Sequence, residues 1–273
     1  MNHQNAIESE NLSLKLNSGT IFSDINLSIP YRAVVGLVGR NGAGKSSLIR
    51  TFLGLTFSTA GSSHLLTCSS KQLNDQTRER IGYVAQTPDL FGWMPCWHHI
   101  QTIGINYDNW TPTRAIELAQ KLDLPLKQKV STLSVGDQQK LSVVLALAHD
   151  PDLLLMDEPV ASLDPVSRRD FMRAIFGDRA QNKEPRTMII SSHILSDLER
   201  VVTHVAFMRQ GKIQLFDEWD AVGEFIRIDE SGRSKTPIHQ TNRGVAVVDS
   251  RLEPSLASAD RVSFDDLFVL MNS

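Results

Sequence analysis

The stretch GRNGAGKS, Gly39 to Ser46, has the residue types and spacing of a phosphate-binding loop. Glycines let the backbone curl until successive N–H groups converge on phosphate oxygens, forming an anion nest. Here that nest is Gly39, Arg40, Asn41, Gly42, Ala43 and Gly44, followed by Lys45, Ser46 and Ser47. Lys45 would reach the β- and γ-phosphates as a cation, and the Ser46 hydroxyl would complete the coordination of Mg²⁺, which prefers octahedral oxygen ligands. Farther along, the apolar run LLLMDEP ends in two acids. Asp157 stands where a strand-end carboxylate holds Mg²⁺ directly or through water. Adjacent residues at a strand end diverge, which leaves Glu158 to orient and deprotonate an attacking water, a role worth ~10²–10⁴-fold in rate.

Chemistry of this kind needs strands that end together and a helix that points at the phosphates. AVVGLVG, Ala33 to Gly39, reads as a buried strand, and Leu48, Ile49, Phe52, Leu53 and Leu55 recur at helical spacing after it. A helix beginning near Lys45 turns its positive end toward the anion. DLLLMDEP and RTMIISSH are continuous apolar runs, the pattern of central parallel strands covered on both faces. Alternating runs from Ile7 to Pro30 predict antiparallel strands ahead of the loop. RIGYVAQ predicts a strand running into a loop at Gln86. TPTRAIELAQKLDL and VGDQQKLSVVLALAHDP predict helices, the second stopping before Pro151, and VTHVAFMRQGKIQLF predicts a hairpin turning at Gln210 and Gly211. The intervening TPDLFGWMPCWHH reads as an apolar, aromatic loop region. After about Phe225 the sequence turns polar, with weak strands such as GVAVVDS and an apolar end, FDDLFVLMNS, and is read as a small C-terminal extension.

The chain has 273 residues and a formal net charge of -3, so no basic stripe marks a nucleic-acid partner, and none is expected. Cys68 and Cys96 form neither a CxxC pair nor a metal-ligand spacing, and read as structural thiols in a reducing compartment. His98 and His99 lack supporting ligands for a metal. The first residues lack the basic-then-apolar profile of a secretory signal. The most apolar windows are broken by charge and by Pro151 before the ~18 apolar residues of a membrane span.

Taken together, GRNGAGKS, Gln86 in YVAQTP, LSVGDQQK, LLLMDEP, ASLDP and SSH stand in the order found in the ATP-binding cassette family, which the chain resembles over roughly Ile7 to Phe225. That resemblance implies an α/β P-loop NTPase fold with a mainly parallel core sheet, an N-terminal antiparallel β subdomain and a helical subdomain. It divides the chain into an ATPase domain, 1–225, with the helical part at about 88–148, and the extension, 226–273. It implies ATP and Mg²⁺ as ligands, with Ser46, Gln86 and Asp157 at the metal and Glu158, His193 and Gln86 at the attacking water. Ser134 and Gly136 in LSVGD resemble the signature that binds the γ-phosphate of ATP held by an opposite subunit, and Asp164 in ASLDP resembles the loop that touches the partner's site. Val135 and Asp137 depart from the commonest signature, and the charge of Asp137 would soften ATP-driven closure.

The resemblance further implies a homodimer, or a heterodimer with a second ATPase subunit, that drives integral membrane permease subunits. The location would be cytoplasmic, peripheral on the inner membrane of a bacterium, and the C-terminal motifs look most like exporter-associated members. A soluble ATPase acting on a macromolecular assembly is the alternative. Family members usually stack an aromatic residue on adenine, whereas LSLKLNSG offers only Leu14 and Leu16. Leu16 is the expected apolar contact, with weaker adenine discrimination as the consequence.

Overall fold

The computed structural model describes residues 5–17, 19–161, 163–177, 185–193, 198–232, 234–241, 244–261 and 263–272. In chain order, β1 (Asn5–Leu16) and β2 (Gly19–Pro30) form an antiparallel hairpin, as their alternation predicts. β3 (Val34–Val38) leads through the glycine loop into α1 (Lys45–Phe52). β4 (Ala60–Leu65) and β5 (Cys68–Ser69) return to the first sheet, whose order is β2-β1-β4-β5. α2 (Asp75–Arg78) precedes β6 (Ile81–Val84). α3 (Cys96–Gly104), α4 (Pro112–Lys121) and α5 (Val135–Leu147) follow, then β7 (Leu153–Asp157), α6 (Pro165–Gly177) and β8 (Thr187–Ser192).

The core sheet is completed by β9 (His204–Arg209) and β10 (Lys212–Glu218) in the order β10-β9-β3-β8-β7-β6. All its pairs are parallel except the β9–β10 hairpin. Parallel strands finish at one edge, and α/β sheets bind ligands outside those carboxyl ends. The fold is therefore the α/β, mainly parallel arrangement that the motifs imply.

Residue alternation explains the layering. Val35 and Leu37 of β3, with Leu153 and Leu155 of β7, join a core that includes Leu14 and Phe22 of the first sheet and Leu48 and Phe52 of α1. The opposite face, through Val34, Leu154, Met156 and Ile190, packs on Leu118 of α4 and Leu141 and Val144 of α5. Thr111 caps α4 by accepting the Arg114 amide, with a proline at the first turn.

Two segments are more ordered than the sequence predicts. The region read as a loop becomes helical at Cys96, because Pro95 can precede a first turn whose Cys96, His99 and Ile100 are buried. His99 spends Nε2 as acceptor for the Phe91 amide at 3.0 Å. α7 (Trp219–Phe225) leads into the polar extension, which builds a further sheet from β11 (Ile226–Asp229), β12 (His239–Gln240), β13 (Ala246–Asp249) and β14 (Asp260–Arg261), followed by α8 (Phe264–Asn272). Its order is β12-β13-β11-β14. Val247, Leu267 and Met271 share a core with Val38, Val205 and Phe207, so this sheet rests on the strand that carries the glycine loop.

Candidate functional site

The phosphate loop is shaped by two glycine requirements. Gly44 has φ 108°, a conformation that side-chain-bearing residues rarely adopt, so the backbone demands glycine, and a Cβ there would also crowd the Ile21 carbonyl oxygen at 3.2 Å. At Gly39 a Cβ would meet the Met208 carbonyl oxygen at 2.2 Å, which locks the loop entry against β9. No side chain caps the start of α1, and the first-turn amides of a helix are left for an external acceptor.

β8 lies between β3 and β7, with Val38 opposite Ser192 and Asp157 opposite Ser191. That register brings Lys45, Ser46, Asp157, Glu158 and His193 together from distant parts of the chain. Ser46 Oγ donates to Asp157 Oδ1 at 3.0 Å, and Ser191 Oγ donates to the same oxygen at 2.7 Å. The Glu158 amide in turn donates to Ser191 Oγ at 2.8 Å. Ser191, one residue before the SH of the motif, thus ties both acids together; the sequence carried it inside a quoted motif without a role.

Glu158 has φ 47°, a left-handed conformation that costs a non-glycine residue ~1 kcal/mol or more. This turn directs its carboxylate away from that of Asp157. Lys45 Nζ lies 3.2 Å from Glu158 Oε1, both residues being about 5% exposed (5% and 6%). Lys45 also donates to the carbonyls of Gly39 at 2.6 Å and Arg40 at 3.3 Å. His193 Nδ1 meets Glu158 Oε2 at 2.6 Å. Burial first, and the negative charge of Asp157 second, push the Tyr83 phenol on β6 above its usual pKa, while Arg50 pulls the other way.

A cleft of about 440 Å³ opens over these groups, lined by Asn41, Gly42, Gly44, Lys45, Ser46, Ser47, Gln86 and Glu158. Ile21 of β2 lines it too, whereas Leu16, at the end of β1, is 48% exposed and absent from the lining. Ile21 follows a hairpin turn, and only the fold of that hairpin over the loop reveals it. The Ser46 hydroxyl, the Asp157 carboxylate and the Gln86 side chain are hard oxygen donors, the set Mg²⁺ takes. The hydrogen-bonded Ser46–Asp157 pair fits such an ion.

Ser134, Gly136 and Asp164 form a second group that lies outside this lining. Ser134 is the N-cap of α5: its Oγ accepts from the Asp137 amide at 3.1 Å and donates to Asp137 Oδ2 at 2.7 Å. A Cβ on Gly136 would lie 3.1 Å from a Leu163 methyl, placing the helix start beside the turn that carries Asp164.

A nest for phosphates, a lysine, hard oxygen donors and a histidine-held carboxylate at the edge of a parallel sheet define a nucleoside triphosphatase. Residues 22–161 match the ABC transporter family. The bacitracin transport ATP-binding protein BcrA of Bacillus licheniformis is 30% identical over 211 residues, covering 76% of this chain and 68% of that protein. The lantibiotic transport ATP-binding protein SrtF of Streptococcus pyogenes is 28% identical over 221 residues, covering 77% of this chain and 90% of that one. Among solved structures, an ATP-binding subunit of an ABC transporter superposes with a TM-score of 0.71 at 22% identity, over 80% of this chain and 91% of that chain. A dimeric post-hydrolysis state of the cassette MJ0796 with ADP and Pi superposes with a TM-score of 0.70 at 19% identity, over 78% and 98% of the chains. The chain belongs to the ABC transporter family, as an ATP-binding and ATP-hydrolysing subunit.

Proposed function

We propose that two copies of the chain close around ATP and drive permease subunits in a bacterial inner membrane, from its cytoplasmic face, to export peptide-like antibiotics. The observation that carries this reading is the split between the cleft and the Ser134–Gly136–Asp164 surface on one chain. One copy supplies the nest and the acids, and the other supplies a helix start facing the same γ-phosphate. A second, related ATPase subunit could take the partner's place with the same geometry. Export and the peptide cargo rest on the relatives named for bacitracin and lantibiotic transport.

In this reading residues 1–225 are the ATPase unit, about 88–148 its helical part, and 226–273 a separate C-terminal unit. The loop from Gly39 to Ser47, through its amides other than that of Arg40, and the Lys45 ammonium hold the phosphates. Ser46, Asp157 and Gln86 hold Mg²⁺, which when bound neutralises charge on the β- and γ-phosphates. Glu158, its Oε2 held by His193, orients the attacking water and takes its proton. Ile21, in place of Leu16, supplies the apolar contact at the open end of the cleft. The contacts made in the closed dimer depend on the γ-phosphate, so hydrolysis removes them and reopens the pair.

Permease docking draws support from exposed apolar side chains: Leu55 (63%), Phe57 (67%), Trp93 (71%) and Ile105 (75%). Leu55 also lines a groove of about 370 Å³ between core and helical part, with Tyr83, Ile103 and Tyr107.

The test is a pull-down from detergent-solubilised membranes with Glu158→Gln, Mg²⁺ and ATP, with Lys45→Ala as control. Recovery of a multispan protein by the first variant only is expected. An ATP-dependent dimer carrying soluble partners alone would transfer the reading to an ATPase of macromolecular assemblies.

A further inference from the structure

The loop that holds phosphate is itself held from outside the ATPase fold. The Arg40 amide donates to Asn272 Oδ1 at 3.2 Å, and Arg40 Nη1 donates to the Asn272 carbonyl at 3.4 Å, a contact spanning 232 positions of sequence. Asn272 Nδ2 donates to the Phe268 carbonyl at 2.7 Å, which fixes the amide in the orientation that presents Oδ1 to the loop. Its helix, α8, is anchored by Leu267 and Met271, 0% and 1% exposed, in the core shared with Val38 and Phe207. α8 is thus seated on the strand that ends in the loop, and its Asn272 closes over the loop's second residue.

The bonds continue inward. The Arg40 carbonyl accepts from Lys45 Nζ, which also donates to the Gly39 carbonyl and pairs with the Glu158 carboxylate, and that carboxylate in turn meets His193. A contiguous path therefore runs from α8 to the groups around the reacting phosphate. The Arg40 amide is spent on Asn272, while the lining of the cleft starts at Asn41. Asn272 accordingly acts through the loop rather than on the nucleotide.

We propose that Asn272 is a positioning residue for nucleotide binding: it braces the Gly39–Arg40 peptide so that the nest and Lys45 are set before ATP arrives. A preorganised site loses less on binding, so loss of the brace weakens ATP capture and leaves the chemical step alone. Coupling of this kind is reciprocal, and ATP in the nest tightens α8.

The proposal rests on the nucleotide reading of the cleft, and the test separates the two. In the full chain, Asn272→Leu removes the side-chain acceptor while keeping a helix-forming, space-filling residue. Asn272→Gln retains the carboxamide, with both the oxygen that accepts and the nitrogen that donates. KM for ATP is expected to rise about 2- to 10-fold in Asn272→Leu, the worth of one hydrogen bond, with kcat within about 2-fold of the wild type. Asn272→Gln should return KM to within about 2-fold of the wild type. Hydrogen exchange of residues 264–272 in the wild type should slow when Mg²⁺ and ATP are added, and this slowing should vanish in Asn272→Leu. An unchanged KM in Asn272→Leu overturns the proposal, as does a raised KM that Asn272→Gln fails to restore. A wild-type chain that binds no ATP would overturn the nucleotide reading itself.

Discussion

The cleft and the start of α5 carry comparable polar chemistry and differ in how it is partnered. In the cleft, Lys45, Asp157 and Glu158 are buried and already partnered: Lys45 meets Glu158 directly, Ser191 links Asp157 to the Glu158 amide, and Ser46 and His193 each hold one of the acids. At α5, Ser134 is exposed, and its hydroxyl is bonded only to Asp137 of its own first turn in the hydrogen bonds described. Buried charges must be assembled by folding, because leaving one unpaired costs several kcal/mol. An exposed serine at a helix start has no such constraint and can wait for a ligand supplied by another molecule. In the proposed dimer, one region is assembled within a chain, and the other acquires its use against a second chain.

The largest test of that contrast removes the carboxylate that the cleft has buried. Glu158→Gln should lower steady-state ATP turnover by about 10²- to 10⁴-fold, the scale of a lost general base, while equilibrium ATP binding survives. Turnover within a few-fold of the wild type would take Glu158 out of the reaction.

Next in size is the exposed serine. Ser134→Ala should reduce turnover by about tenfold or more, as expected for loss of a hydrogen bond to a charged oxygen. Mixing Ser134→Ala with the inactive Lys45→Ala chain should restore activity, because one of the two composite sites is then intact. Failure of the mixture to recover would break the comparison outright, by showing that both groups serve the same chain.

A smaller effect concerns the acid beside Ser134. Asp137→Asn keeps an acceptor for the Ser134 hydroxyl and removes a negative charge from the helix start that the proposed dimer turns toward phosphate, and should strengthen ATP-induced dimerisation about 2- to 5-fold. Sedimentation of Glu158→Gln chains with and without the second substitution would show it, more clearly at low salt than at high. A weaker dimer would mean that capping by Asp137 outweighs its charge.

The smallest effect lies away from both regions. Burial lowers the pKa of His99 and of His149, the latter stacked on Tyr107 at 4.0 Å and bonded to the Ile81 carbonyl at 3.2 Å. Both stay neutral in the folded chain at a pH where an unfolded histidine, with a pKa of about 6.5, takes a proton. The unfolded state then binds more protons, so stability falls as pH drops through about 6.5 toward the depressed folded values. Denaturant midpoints from pH 7.5 to 5.5 should fall, and His149→Gln should flatten the slope. A midpoint independent of pH would remove these histidines from the stability of the fold.

How much of this was readable depends on what kind of constraint shaped each segment. Strands buried on both faces must be apolar throughout, so Leu153–Asp157 and Thr187–Ser192 stand out, and a nest must use glycine, so the loop stands out. α3 was hidden because Gly92 and Pro95 suggest a loop while its helical face includes His99 and Cys96. In the C-terminal sheet GVAVVDS announced β13, whereas β12 and β14 were hidden because they are two residues long, too short for alternation to register. Ile21 reaches the cleft, and Asn272 the loop at its edge, by tertiary approach alone, and no local pattern announces a contact between residues 40 and 272.

The order of β3 in the core sheet also governs when the protein can exist during its synthesis. Among the described residues β3 pairs with β8 and β9, Val34 lying against Met188 and Val35 against His204. A ribosome adding ~5–20 residues per second exposes the glycine loop long before either neighbour has emerged. The N-terminal hairpin and the β6–β7 pair can form in that interval, but the strand that aims the loop has nothing beside it. Nucleotide therefore cannot chaperone the early nascent chain; it can reward folding only once the segment through Arg209 has left the exit tunnel.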